Sequence, residues 1–64
     1  MSATREVLDE VLARELAAKV FYDELCVRVV GTEFERFLPQ LTEMAAEEAG
    51  HADQVRSLIA RFGR

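Results

Sequence analysis

The chain has one cysteine, one proline and three glycines among its 64 residues. A lone cysteine excludes an intrachain disulfide and a CxxC metal site. A chain this short buries little surface, so its stability needs a bound metal or self-association when disulfides are missing. The sequence therefore predicts one small domain, stabilised in one of those two ways. We interpret Cys26 as a small core residue.

Long apolar runs and a basic excess are also missing. No apolar stretch approaches the roughly 18 residues that cross a bilayer, and residues 1–6 lack the charged-then-apolar order of a signal peptide. We therefore expect a cytoplasmic chain without a membrane partner. Acidic residues outnumber basic ones by 12 to 8, which argues against nucleic acid as a partner.

Apolar residues at helical spacing occupy nearly the whole chain on both sides of Gly31. The predicted fold is all-α: an antiparallel hairpin with helix one at about 4–30 and helix two at about 33–62, forming a single domain over 1–64. Counting in sevens defines a seam on each helix. The seam positions are Leu8, Glu15, Tyr22 and Val29, then Phe34, Leu41, Glu48, Val55 and Phe62. Three residues behind each member on helix two stand Phe37, Met44, His51 and Leu58.

The connection between the helices contains three recognisable signals. Gly31 is the expected helix stop, because glycine adopts a positive φ most easily. Thr32 and Glu35 are spaced as a capping box for the next helix. Pro39 allows two interpretations: a kink inside a continuous helix two, or a separate turn over 32–38 followed by a helix with proline at its first position. Because the seam passes Pro39 unshifted, we favour the kinked helix.

Three polar residues interrupt the apolar seam. Glu48 and His51 are three residues apart and share a helix face, and Glu15 is the charged residue in the seam of helix one. Glu15 precedes Gly31 by about as many residues as separate Gly31 from Glu48, so both should lie roughly 24–26 Å from the turn. The hairpin is expected to bring all three side chains to one level.

Taken singly, a seam glutamate usually reaches solvent and a seam histidine is usually a hydrogen-bonded core residue. Taken together, these residues would place two carboxylates side by side, which costs several kcal/mol in a low-dielectric setting. A cation removes that cost, and oxygen with imidazole ligands suits iron, manganese or zinc. The sequence therefore predicts a metal site at Glu15, Glu48 and His51. We interpret the neighbouring Glu43 and Glu47 as solvated charges.

A two-helix chain cannot bury its apolar stripe alone, so we expect a homodimer that forms a four-helix bundle. Two copies around a two-fold axis at the site would supply four carboxylates and two histidines. That is the ligand set of ferritin-like dinuclear carboxylate proteins.

Residues 15–22 (ELAAKVFY) and 44–52 (MAAEEAGHA) resemble the ferritin-like di-iron carboxylate superfamily, either half of a rubrerythrin domain or a two-helix encapsulated ferritin. The resemblance implies a ferritin-like bundle with two iron ions per dimer, for which manganese or zinc are substitutes. It implies Glu15, Glu48 and His51 as the ligands and Tyr22 as a hydrogen-bond donor near the metals. The alternative for Tyr22 is a core aromatic whose hydroxyl reaches the bundle edge. Rubrerythrins also carry a four-cysteine iron domain, which one cysteine cannot build.

The same resemblance implies a ferroxidase that oxidises Fe(II) with dioxygen or peroxide in iron binding and storage. It also implies self-association into a homodimer or a higher oligomer of dimers. The implied location is the cytoplasm, including the interior of a protein compartment there. A peroxide-reducing di-iron protein of the rubrerythrin kind is the first alternative. The second is a metal-free helical dimerisation module, whose polar seam residues set the register.

Overall fold

A computed structural model describes residues 3–62, which form two long helices joined by a short connection. Helix α1 covers Ala3–Arg28 and helix α2 covers Leu38–Phe62, with a 3₁₀ turn at Glu35–Phe37 and no strand within the described range. Cys26 Sγ lies 3.8 Å from Thr42 Oγ1 near the connection, whereas Glu15 meets His51 further along both helices. The helices are therefore antiparallel, and the predicted helical hairpin is confirmed. Residues 1–2 and 63–64 of the predicted domain lie outside the described range.

The kinked, continuous helix two is wrong. Helix α1 ends at Arg28 rather than Val30, and α2 begins at Leu38 after the 3₁₀ turn. Pro39 is thus the second residue of α2. Proline is tolerated there because the first N–H groups of a helix have no partner within the helix. The seven-residue spacing passes through the proline because the 3₁₀ turn continues directly into α2.

Gly31 has the expected positive φ but lies three residues beyond the end of α1, and the capping box differs from the prediction. Gly31 has φ +78°, and its N–H donates to Glu35 Oε1 at 2.9 Å. The N–H of Thr32, which a capping box would offer to that glutamate, donates instead to the carbonyl oxygen of Val29 at 3.0 Å. The Thr32 hydroxyl donates to the same carbonyl oxygen at 2.7 Å and accepts from Phe34 N at 3.1 Å. A further bond from Glu35 N to the carbonyl oxygen of Thr32 at 3.1 Å helps to close the connection.

Only three of the described residues are buried, and all three lie on α2: Ala45, Ala52 and Val55. Two of them are alanines, so the helices approach closely but cover little apolar area. The Cα positions extend over 48 × 14 × 10 Å, which is a single layer of helices. A single layer leaves both broad sides of the hairpin uncovered, so large apolar residues are exposed on each of them.

Helix α2 presents two rows of residues to its surroundings. The covered row packs against α1 and consists of Leu41, Ala45, Glu48, Ala52, Val55 and Ile59. The residues expected three behind the seam, Phe37, Met44, His51 and Leu58, are exposed instead. The prediction that these four residues face α1 is wrong. Helix α2 is rotated so that residues one position later, such as Ala45 and Ala52, lie at the helix interface instead.

The exposed row of α2 continues onto α1. Helical spacing places Val7 and Phe21, both more than half exposed, on the same side of the hairpin as the row containing His51. We call the surface formed by Val7, Phe21, Met44, His51 and Leu58 the open face. An exposed arginine, Arg14, lies in the α1 row between Val7 and Phe21, and the predicted metal ligands lie at the centre of this face.

Candidate metal centre

The structure brings the three predicted ligands together in the middle of the hairpin. His51 Nδ1 lies 3.3 Å from Glu15 Oε2 and 3.8 Å from Glu48 Oε2. One donor atom from each of the three residues lies within 4.8 Å of the other two. Glu15 comes from α1 and the other two from α2, so the cluster depends on the register of the hairpin.

Exposure differs across the cluster. The side chains of Glu15 and Glu48 are 25% and 22% exposed, because both lie at the helix interface, whereas that of His51 is 54% exposed. The expectation that all three point into the hairpin core is therefore wrong for His51. The histidine lies on the open face and covers the two carboxylates from that side.

The two carboxylates influence each other's ionisation. The pKa of Glu48 is raised above its ordinary range, first by a hydrogen bond to Glu15, which requires a proton between the two groups. Partial burial and the negative charge of Glu15 act in the same direction, and His51 opposes them. Without a cation, the cluster therefore favours a bound proton. A metal that replaces this proton would bind more tightly as the pH rises.

The donor set fits a divalent transition metal. Ligands that bind one ion at about 2.0–2.2 Å lie about 3 Å apart when adjacent, and the Glu15–His51 separation of 3.3 Å agrees with this. The Glu48–His51 separation of 3.8 Å needs a shift of less than about 1 Å, which a rotation of either side chain supplies. Two carboxylates and one imidazole match iron, manganese or zinc rather than a soft metal. One chain thus offers an incomplete ligand set.

Tyr22 lies outside this cluster within one chain. Its half-buried ring packs edge-on against Phe21, with 5.5 Å between the ring centroids and 69° between the planes. It lies two turns from Glu15, and no hydrogen bond joins its hydroxyl to the three cluster residues in the described part of the chain. The contact with Phe21 agrees with the packing interpretation. The role near the metals remains a prediction.

Several other charged groups form pairs within one helix. Arg5 pairs with Asp9, and Arg14 with Glu10, each at i,i+4 spacing and largely exposed. Such pairs contribute little to stability. Cys26 is half-buried at the helix interface, in agreement with a packing role.

The sequence interpretation missed the exposure of Met44 and Leu58. A signal for it was present, because the row that starts at Leu41 and alternates steps of four and three is apolar or small at every position except Glu48. That row competes with the assumed one for the helix interface. The alanines decide between them, because they let α1 approach closely.

Comparisons with known proteins identify no relative, so any functional assignment depends on the residues of the cluster. No family model matches the chain. No curated protein is similar to it, and no solved structure matches it. Neither helix within residues 3–62 has the apolar length that a membrane crossing needs.

Proposed function

We propose that the chain is a ferritin-like protein that binds and oxidises Fe(II) at a dinuclear centre formed between two copies. The observation that carries this proposal is the convergence of Glu15, Glu48 and His51 on one exposed side of the hairpin. A metal site facing solvent on a flat, single-layer protein is incomplete. A second copy of the same site completes it.

The surroundings of the cluster support pairing through the open face. Met44 and Leu58 lie one heptad before and after His51 and are 38% and 42% exposed, and Phe21 is more than half exposed. Large apolar side chains exposed together on one side of a protein can mark an interface. Joining two open faces makes a four-helix bundle, buries these side chains and places two copies of the cluster opposite each other.

In this assembly the chain's own residues bind and orient the substrate iron. The four carboxylates offset the charge of two ferrous ions, and each neutral imidazole supplies one nitrogen. Each Fe(II) gives one electron to dioxygen or peroxide, and this redox chemistry belongs to the iron. The apolar side chains around His51 limit the access of water, and Glu48 gives up its proton when iron binds.

A metal-free dimerisation module is the second candidate, and one observation favours it. The hydrogen bonds within the cluster give Glu15, Glu48 and His51 partners even without a cation. In that case the polar residues would fix the register of the dimer. The two candidates differ in whether a chelator lowers the melting temperature, because a ligand that binds the folded state stabilises it.

The direct test uses the variants Glu48→Ala and His51→Ala, with Glu43→Ala as the control for an exposed glutamate on the same helix. We expect both site variants to lose stoichiometric iron binding and ferrous oxidation, and the control to keep both. Elemental analysis and the absorbance of ferric iron measure the two properties. Undiminished oxidation in both site variants contradicts the proposal. Running the wild type with dioxygen and with peroxide then separates ferroxidase from rubrerythrin-like chemistry, because a peroxidase strongly prefers peroxide.

A further inference from the structure

An arginine interrupts the apolar row that α1 contributes to the open face. Counting in sevens from Val7 gives Arg14 and then Phe21, so both neighbours of Arg14 in this row are apolar. Arg14 also directly precedes the cluster residue Glu15, which places the two residues about 1.5 Å apart in height along the hairpin. A positive charge therefore lies at the height of the candidate metal centre, on the broad side of the hairpin that carries His51.

The charge of Arg14 is only partly offset within the chain. Its guanidinium donates to Glu10 Oε1 at 3.0 Å, and the two side chains are 76% and 64% exposed. Glu10 lies a full helical turn further from Glu15 than Arg14 does, so the positive residue is the nearer of the pair to the cluster. A guanidinium keeps its proton in folded proteins, so this charge is permanent. A cation bound in the cluster is therefore repelled by Arg14.

We propose that Arg14 is a specificity-determining residue that lowers the affinity of the centre for Fe(III) more than its affinity for Fe(II). This inference rests on the proposed function, in which each bound Fe(II) loses one electron. The Coulomb energy is proportional to the product of the two charges, so one guanidinium repels a trivalent ion half as strongly again as a divalent ion. The carboxylates attract the trivalent ion more strongly, and Arg14 opposes that gain. The oxidised ion therefore leaves the centre more readily.

The proposed dimer strengthens this repulsion. Any pairing of two open faces that brings the clusters together also brings both copies of Arg14 to the height of the centre, because each is one residue from a ligand. The second copy removes water from the surface around the arginines, and a lower dielectric constant increases the repulsion. Four carboxylates offset the charge of two divalent ions, whereas two trivalent ions leave an excess of positive charge to which the arginines add. The centre therefore favours the substrate ion over the product ion.

The test compares a divalent and a trivalent ion that neither gain nor lose electrons, Zn(II) and Ga(III). Calorimetric titration against a competing chelator gives both affinities. We expect Arg14→Gln to raise the affinity for Ga(III) relative to Zn(II) about fivefold, as expected for one extra ionic charge about 10 Å from the guanidinium at an effective dielectric constant of about 35. Arg14→Lys keeps the charge and should keep the wild-type ratio. Added salt should reduce the difference between Arg14→Gln and the wild type, because it screens charges at this distance.

The matched control is Arg28→Gln, which makes the same change of charge at the last residue of α1, about 20 Å from Glu15 along the helix. It should keep the wild-type ratio, and circular dichroism checks that each variant is helical. An unchanged or lower ratio in Arg14→Gln, or an equal rise in Arg14→Lys, overturns the role of Arg14 alone, provided that the wild type binds zinc and Glu48→Ala does not. A wild type that binds neither ion overturns both this role and the proposed function.

Discussion

The covered row and the α2 part of the open face lie on the same helix, yet they differ in their surroundings. Ala52 in the covered row is 1% exposed, whereas Leu58 on the open face is 42% exposed. Two of the six residues of the covered row are alanines, which suit a close helix pair. The open face carries larger apolar residues, which are costly to leave in water.

The covered row and the open face therefore have different roles, which a hydrophobic pattern alone does not distinguish. The covered row holds the hairpin together and positions Glu48 beside Glu15. The open face carries His51 and the exposed apolar side chains through which we propose that a second copy binds. Three substitutions test whether the two surfaces have these different roles. The first is in the covered row, the second is on the open face, and the third is at Glu48, which lies between them.

The largest effect is expected from a charge in the covered row. Ala52→Asp buries an unpaired carboxylate, which should cost about 3 kcal/mol or more. A chain of this size has about 3–10 kcal/mol of stability in total, so we expect loss of the cooperative thermal transition. Circular dichroism at 222 nm measures it. Ala46→Asp makes the same change at an exposed position of α2 and should melt nearly as the wild type does. Equal destabilisation by both would contradict the assignment of the covered row.

An intermediate effect is expected on the open face. Leu58→Ser should remove about 1 kcal/mol of apolar burial from each copy and weaken the dimer about 30-fold. Sedimentation equilibrium measures the dissociation constant with iron present. The control is Val27→Ser, because Val27 is 75% exposed on the outer side of α1, away from the open face. If both variants weaken the dimer equally, the open face is not the interface.

The smallest effect is expected at Glu48, where the two surfaces meet. Its raised pKa means that the folded chain holds the proton more tightly than the unfolded chain, which ionises Glu48 at about pH 4.3. Stability from this group is therefore full below that pH and is lost as the pH rises through the folded-state pKa. In chelator, Glu48→Gln should lack this loss and be more stable than the wild type at neutral pH. Urea unfolding from acidic to neutral pH measures it. Parallel curves for the two proteins would contradict the shift.

The two helices and the turn at Gly31 could be predicted from the sequence because they depend on local preferences. The equal height of Glu15 and Glu48 along the hairpin could also be predicted, because it depends only on the rise per residue and on a turn near Gly31. The start of α2 was not, because proline permits both a kink and a first helical turn. The hydrogen bonds around Thr32 decided between these alternatives, and they depend on contacts that spacing does not specify.

The exposure of His51 could not be predicted for a different reason. Spacing shows that His51 and Glu48 share a side of α2, but not which part of that side faces α1. Ala45 and Ala52 settle this rotation by permitting a close approach, which is a property of both helices together. The metal, the second copy and the chemistry remain predictions, because a single chain contains only half of the ligand set.

The hydrogen bond from Gly31 to Glu35 has a consequence for the centre of the molecule. A residue added to a helix turns everything beyond it by about 100° and moves it by 1.5 Å. The connection, closed by its own hydrogen bonds, fixes both the angle and the height at which α2 starts. Surface connections usually tolerate changes of length. Here the spacing between Glu15 and Glu48 is set near residue 31, so a change of length in the connection would alter the candidate metal centre without changing any of its three residues.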